Sequence, residues 1–414
     1  MKFDTIIIGG GLAGLTCGIR LQSQGKKCAI VSAGQSALHF SSGSFDLLNR
    51  LPDGTKVVSP LASVQALSES HPYTKMQSRF AQLAEEAKAL LEDSGVPVSG
   101  SADKNSYRIT PMGTLKPTWL TMADFTTLPT DTATIGKNIL VVNFLGFLDF
   151  NTKFIADAFE SNGTKCDIKA VSMPVLEKLR HSATEMRAPN IARVFDDEVN
   201  FEAFVTIVKG YIQGHDCVVL PAIFGLNSSM AATVLGQKLN VPVCLMPTMP
   251  PSVPGIRTQQ QLRRRFQKLG GIYMLGDTVL KADIANSKIN AIYTANHVEE
   301  PLVADNYILA SGSFFSKGLV ATPENVYEPI FGLDVDFAGN RAEWYASEFF
   351  EPQQYMTFGV NTDNDFATYR NGAKMENLYA IGSVLSGFNP MTEGCGAGVA
   401  MTSAIFVADN LKNC

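Results

Sequence analysis

The run Gly9-Gly10-Gly11-Leu12-Ala13-Gly14 constrains the fold of this chain more than any other feature. It fits G-x-G-x-x-G and follows Ile6-Ile7-Ile8, a β-branched stretch that predicts a buried strand over 3–8. Leu15, Ile19 and Leu21 behind it predict a helix over 12–24, with Gly25 as its stop signal. Cys28 to Val31 reads as a second strand and closes a βαβ unit. In that setting each glycine has its own task. Gly9 permits the tight turn out of the strand, Gly11 lets the backbone approach a pyrophosphate, and Gly14 lets helix and sheet touch. The phosphate is expected on the unpaired N–H groups of the helix N-terminus.

Sites of this kind usually place Asp or Glu at the end of the second strand, to bind the adenosine ribose. Here that position is Ser32. A serine cannot accept from both ribose hydroxyls as a carboxylate does, which leaves room for a flavin mononucleotide, a ligand without adenosine. A second glycine-rich turn lies far along the chain. A strand expected over 378–381 runs into Gly382-Ser383, and Glu393-Gly394-Cys395-Gly396-Ala397-Gly398 leads into an apolar helix over 399–411, aimed at the same ligand. Between the two ends, strands expected at 278–284, 288–295 and 307–310 finish in Ala310-Ser311-Gly312, with a hairpin turn at 286–290. This order resembles the two-dinucleotide-binding-domain flavoproteins. The expected fold class is α/β, a Rossmann-like flavoprotein with an inserted substrate or cap region. Its flavin-binding parts are expected over 1–105 and 256–414, with the insert over 106–255. The insert reads as irregular and rich in Pro and Thr, with helical patches at 201–212 and 230–239 and one strand at 217–220. Pro247, Pro250, Pro251 and Pro254 mark a rigid connection at its end. Another helix is expected over 76–91.

Composition narrows the function classes. A chain of 414 residues buries enough surface to need no staple, and a net charge of −5 argues against nucleic acid as a partner. None of the seven cysteines (Cys17, Cys28, Cys166, Cys217, Cys244, Cys395, Cys414) forms a C-x-x-C pair. Neither an iron–sulfur centre nor structural zinc is therefore expected here, and iron–sulfur centres, if used, belong to another chain. The cysteines read as reduced core residues of a cytoplasmic protein. No apolar run reaches the roughly 18 residues of a membrane span, and the three glycines interrupting the first apolar stretch favour strand and turn over a leader.

More distinctive runs narrow the resemblance. They are His39-Phe40-Ser41-Ser42-Gly43-Ser44-Phe45-Asp46-Leu47-Leu48, Thr110-Pro111-Met112-Gly113-Thr114-Leu115-Lys116-Pro117-Thr118-Trp119-Leu120, Arg187-Ala188-Pro189-Asn190-Ile191-Ala192-Arg193 and Pro251-Ser252-Val253-Pro254-Gly255-Ile256-Arg257, together with the loop 393–398. End to end, the chain resembles the B subunits of the bacterial anaerobic glycerol-3-phosphate dehydrogenases. The resemblance implies FMN as cofactor, with FAD as the alternative. It also implies a soluble catalytic pair with a larger FAD-containing subunit, anchored to the cytoplasmic face of the inner membrane by an iron–sulfur subunit. The implied reaction takes a small phosphorylated polyol, glycerol 3-phosphate, to dihydroxyacetone phosphate and sends electrons to quinone, with fumarate or nitrate as terminal acceptor. By motif, Gly9, Gly11 and Gly14 would cradle the flavin phosphate. Ser41, Ser42, Gly43 and Ser44 would pass beside the ring, and Gly382, Asn389, Glu393, Gly394, Gly396 and Gly398 would close the other side. Gly312 would be a close-approach turn, although its neighbour is Ser311 rather than a second glycine.

Oxidising a secondary alcohol needs a base, usually His or Glu. Of five histidines, His39 lies nearest a predicted flavin loop. Binding a phosphorylated substrate favours an arginine fork; Arg257, after the prolines, is the candidate, ahead of Arg187 and Arg193. The consecutive Arg263, Arg264 and Arg265 read as solvated or partner-facing. Trp119 and the phenylalanines of 144–150 read as core or interface. The scarcity of histidine and the lack of a clear acid–base pair favour a chain that relays electrons. Two other readings stay open: an independent flavin oxidoreductase on another small alcohol or amine, and a nucleotide-binding structural subunit without redox activity.

Overall fold

The computed structural model describes residues 2–182 and 185–411; Cys414 lies outside them. Strand β1, Lys2–Ile8, is buried along most of its length because Ile6, Ile7 and Ile8 meet packed layers on both faces. Helix α1, Leu12–Ser23, follows, then strand β2, Cys28–Ser32, which pairs parallel with β1. Gly25, at φ +81°, turns the chain between them. The other side of β1 pairs parallel with the long strand His297–Leu309, and the strand Ile272–Leu275 extends the sheet beyond β2. Ala373–Ala380 pairs parallel with the end of His297–Leu309. The two halves of His297–Leu309 serve different structures. Its last residues lie in the parallel sheet, while its beginning pairs antiparallel with Lys288–Thr294, which pairs with Val279–Ala285. These strands belong to one eight-stranded sheet. The expected meander is present, and its third strand begins well before residue 307. The hairpin turns through Asn286 and Ser287, both at positive φ.

The region expected to be irregular contains a second parallel sheet. Its four strands run in the order Lys165–Val171, Asn138–Phe144, Cys217–Pro221, Val243–Met246. The expected strand at 217–220 is therefore central in a layered α/β unit. Phe144, Phe195, Phe204 and Phe224 form its aromatic core, with neighbouring ring centroids 5.0–5.4 Å apart. Trp119 is buried, as are Phe147 and Phe150, whereas Leu148 between them is exposed. Pro254 lies in the first turn of the helix Val253–Lys268, where its missing N–H costs no hydrogen bond. The helix expected from residue 76 begins at Phe80 and runs to Asp93. Of the arginine triplet only Arg264 is exposed, and Arg263 stacks over the Tyr273 ring.

Helix α1 packs against the helix Gly396–Asn410, which also touches Phe80–Asp93. One carboxylate ties these helices together. Asp409 accepts from Arg20 Nε at 2.7 Å, Gln24 Nε2 at 2.8 Å and an Arg79 guanidinium nitrogen at 2.6 Å. Burial alone would raise the Asp409 carboxyl, but Arg20 and Arg79 outweigh it and hold it below the usual carboxylate range. Asp409→Asn is therefore expected to lower stability by about 1–2 kcal/mol after allowance for partial exposure, read from the urea midpoint. The wild-type advantage is complete above about pH 4 and shrinks as pH falls through the lowered folded-state value. Among the described residues no helix is long and apolar enough to cross a membrane.

Candidate functional site

A cavity of about 710 Å³ opens where β1, β2 and the end of His297–Leu309 stop, the carboxyl edge of the parallel strands. Its floor is the glycine turn, Gly9 to Ala13. Gly9 stands at φ +121°, and a Cβ there would lie 2.1 Å from the Ala310 carbonyl oxygen. A Cβ at Gly14 would lie 1.9 Å from the Gly9 carbonyl oxygen, so this glycine lets helix and strand touch and stays off the cavity wall. Gly11 faces open space, with nothing nearer than 3.6 Å to a Cβ placed there, and it caps α1 without a side-chain hydrogen bond. The helix Gly396–Asn410 also starts without a side-chain cap, and its Gly396, Ala397 and Ala400 form the opposite wall. Two uncapped helix N-termini thus border one cavity, an arrangement that suits anionic phosphates.

On one side of the turn the cavity continues past Ser32 along Gln35 and Ser36 to Asp277, Thr278 and Val279. On the other it is lined by Ser41, Ser44, Phe45, Ser311, Gly312 and Ser383. The hydroxyl of Ser311 is buried in this wall without a hydrogen-bond partner, a polar group left for a ligand. Glycine cradle, uncapped helix ends and orphaned hydroxyl together fit a flavin nucleotide.

The structure sorts the sequence candidates into two groups. Gly9, Gly11, Ser32, Ser41, Ser44, Gly312 and Gly396 line the cavity. Gly14, Ser42, Gly43, Gly382, Asn389, Glu393, Gly394 and Gly398 do not. They build the layer behind it. A Cβ on Gly382 would meet Ala13 at 2.7 Å, one on Gly394 would meet Asn49 at 2.4 Å, and one on Gly398 would meet the Tyr73 hydroxyl at 2.1 Å. Gly43 turns at φ +82° beside Pro254 and Phe125, and the Ser42 hydroxyl pairs with that of Ser44. Asn389 accepts from the N–H groups of Met391 and Thr392. Glu393 points away from the cavity. It accepts from Asn389 N–H at 2.7 Å and pairs with His71 Nε2 at 3.1 Å, and the Cys395 thiol lies 3.7 Å from it. His71 Nδ1 accepts from Tyr73 N–H, so its other nitrogen carries the proton given to Glu393. The group is a buried clasp that shapes the loop before the C-terminal helix. Burial and the Glu393 charge push the Cys395 thiol well above its usual range.

The two catalytic candidates also lie off the cavity lining. Arg257 is buried, donates from one nitrogen to both Asp124 carboxylate oxygens at 2.7 Å, and reaches the carbonyls of Gly225 and Ser228 with another. It is a structural tie rather than a substrate fork. Its Asp124 partner feels burial, which pushes the carboxyl up, against the pull of the guanidinium. His39 sits half-buried in a short 3-10 turn, and burial lowers its pKa despite a contact with Gln259. Arg187 is engaged by Asp149 at 2.7 Å.

Sequence reasoning missed Ser311 as a polar wall group, and also Lys317, Pro329 and Ile330. Lys317 had one local signal, the neighbouring Gly318, which the compact turn at φ +61° requires. Asp277 follows a glycine at the end of an edge strand but is occupied. Its carboxylate accepts from the Thr294 hydroxyl and Asn296 N–H and contacts His297. Burial would raise this carboxyl; the hydrogen bonds hold it below the usual range.

A sequence-family model described as an FAD binding domain matches residues 4–399. Two relatives are B subunits of anaerobic glycerol-3-phosphate dehydrogenases. That of Yersinia pseudotuberculosis is 47% identical, covering 99% of this chain and 98% of that protein. That of Pectobacterium atrosepticum is 44% identical, covering 99% of both. Among solved structures, the 3-ketosteroid delta1-dehydrogenase of Sterolibacterium denitrificans aligns with 100% of this chain and 99% of its own at a TM-score of 0.46 and 10% identity. With near-complete coverage at 44–47% identity, and with a glycine cradle where a flavin phosphate belongs, the chain belongs to the family of anaerobic glycerol-3-phosphate dehydrogenase B subunits, flavin-dependent members of a multi-subunit enzyme.

Proposed function

We propose that this chain is the electron-relaying flavin subunit of a respiratory dehydrogenase that converts glycerol 3-phosphate to dihydroxyacetone phosphate and passes electrons towards quinone. In this reading it stands beside a larger FAD-containing subunit, which meets the substrate, and an iron–sulfur subunit that holds the pair at the cytoplasmic face of the inner membrane. The names of its relatives support the reaction. The observation that carries the relay role is the chemistry of the cavity wall. Among the described residues its only ionisable side chains are Asp277 and Lys317, and the Asp277 carboxylate is already saturated by protein donors. No histidine lines it among those residues, so the wall lacks the side chain most often used to take an alcohol proton.

When bound, the flavin supplies reversible electron transfer. The chain's own part is to bind and orient: the glycine turn and the two helix ends take the phosphates, while Ser311, Ser41 and Ser44 offer hydroxyls to polar edges. The continuation of the cavity beyond Ser32 to Val279 favours FAD, since that space lies where an adenosine would extend. FMN is the second reading, favoured by the missing carboxylate at Ser32. Chromatography of the acid-released cofactor is expected to yield FAD; FMN would reverse that choice, and a colourless chain that takes up neither flavin would end the redox reading. In the isolated chain, glycerol 3-phosphate is expected to leave the flavin absorbance unchanged, whereas in the whole enzyme it bleaches it. Bleaching of the isolated chain would make this subunit the dehydrogenase itself.

A further inference from the structure

One loop exposes large apolar side chains that the flavin cavity does not use. Phe349 and Phe350 are 84% and 95% exposed, and their rings meet edge-on at 5.2 Å. The loop is nevertheless well folded. Gln353 accepts from Ala346 N–H at 3.0 Å and donates to the carbonyls of Glu348 and Glu351 at 3.0 and 2.9 Å. Beneath it, Trp344 packs with Phe358 and Val326 in a small core of its own and donates to the Ala338 carbonyl. Water thus meets two adjacent phenylalanines on a hydrogen-bonded loop. Exposed aromatic side chains of this kind mark protein interfaces and act there as anchors.

We propose that this loop is the docking site for a second subunit of the dehydrogenase, one whose contact surface combines an apolar pocket with a basic rim. The proposal rests on the multi-subunit reading above. Charge identifies the occupant. Glu348 and Glu351 flank the pair and Glu343 lies just before it, while the one arginine of this segment, Arg341, is stacked on Trp344 at 4.1 Å. An acidic rim repels anionic lipid headgroups, which recruit Lys and Arg; it complements a basic protein surface. Position fits an electron partner as well. The turn after the loop sets Tyr355 against Phe314 at 6.2 Å. Phe315, next in sequence, meets Phe40 edge-on at 5.1 Å, and the following Ser316 and Lys317 line the flavin cavity. The segment that packs on this turn thus runs on into the cavity wall.

The test is co-expression of the full chain with the other subunits of the enzyme, followed by affinity measurement between the purified components. Phe349→Ser/Phe350→Ser is expected to weaken association by roughly 30-fold or more, with flavin content and melting temperature of the isolated chain unchanged. Glu348→Lys/Glu351→Lys, which keeps both phenylalanines, is expected to slow association and to reduce its salt dependence. Wild-type affinity in the phenylalanine variant overturns the docking site and leaves the subunit reading intact. A wild-type chain that forms no complex with those subunits overturns both. Binding of the wild-type chain to phosphatidylglycerol vesicles, lost in the phenylalanine variant, would assign the loop to the membrane and also overturn the proposal.

Discussion

Arg257→Met is expected to lower the stability of the chain by about 3–5 kcal/mol, measured as a shift in the urea midpoint with the slope unchanged. The size follows from what the guanidinium leaves behind. Asp124 is buried, and Arg257 supplies both short contacts to its carboxylate. Without them the carboxylate must remain charged in an apolar surrounding or take up a proton, and both are costly. The Gly225 and Ser228 carbonyls lose their donor at the same time. Arg257→Met/Asp124→Leu should recover much of the loss, because removing both charges also removes the stranded one. A single variant within about 1 kcal/mol of wild type would mean that water enters and solvates Asp124, contrary to its close packing.

Gly9→Ala is expected to lower flavin retention at least ~10-fold and to destabilise the chain by about 2–4 kcal/mol. The added methyl would lie 2.1 Å from the Ala310 carbonyl oxygen, a backbone atom just past the end of the neighbouring strand His297–Leu309, with no rotamer to retreat into. The residue would also hold φ +121°, where L side chains are strained. Relief requires the end of β1 to move away from Ala310-Ser311-Gly312, and these residues are cavity wall. Flavin absorbance per chain after desalting measures the first effect, and a melting curve the second. Gly34→Ala is the matched control, since Gly34 also lines the cavity but a Cβ there meets nothing within 4 Å. Equal loss in both variants would show that any added methyl at the cavity disturbs binding, and the specific role of Gly9 would fall.

The two ends of the flavin fold were legible because their signals are local. A β-branched run, glycines at fixed spacing and a helical stripe all lie within some thirty residues, and the structure has them as strand, turn and helix. The parallel sheet of residues 138–246 was legible only in its strand Cys217–Pro221. Its strands Asn138–Phe144 and Val243–Met246 are short apolar runs without alternation, which periodicity cannot separate from helix or core loop. The proline- and threonine-rich flanks concealed them further.

Site residues divide along the same line. Gly9, Gly11 and Gly14 act through their own backbone, so their tasks were readable in sequence. Arg257 and Glu393 act through partners brought close only by folding: Asp124 lies 133 positions from the one, and His71 322 positions from the other. A sequence shows a charged side chain beside a plausible pocket and cannot show that a distant residue has already claimed it. The lining role of Asp277, Thr278 and Val279 was hidden likewise, since it depends on the Ile272–Leu275 strand lying beside β2 rather than on any motif.

The cavity draws one wall from the turn after β1 and the other from the helix Gly396–Asn410. During synthesis the first wall leaves the ribosome long before the second is made. A nascent or prematurely terminated chain therefore has a phosphate turn but no enclosed place for a ring system, and cofactor capture must wait until the helix Gly396–Asn410 has been translated. Loading and closure of the cavity become one event, and a chain cut short before that helix is left with half of the site.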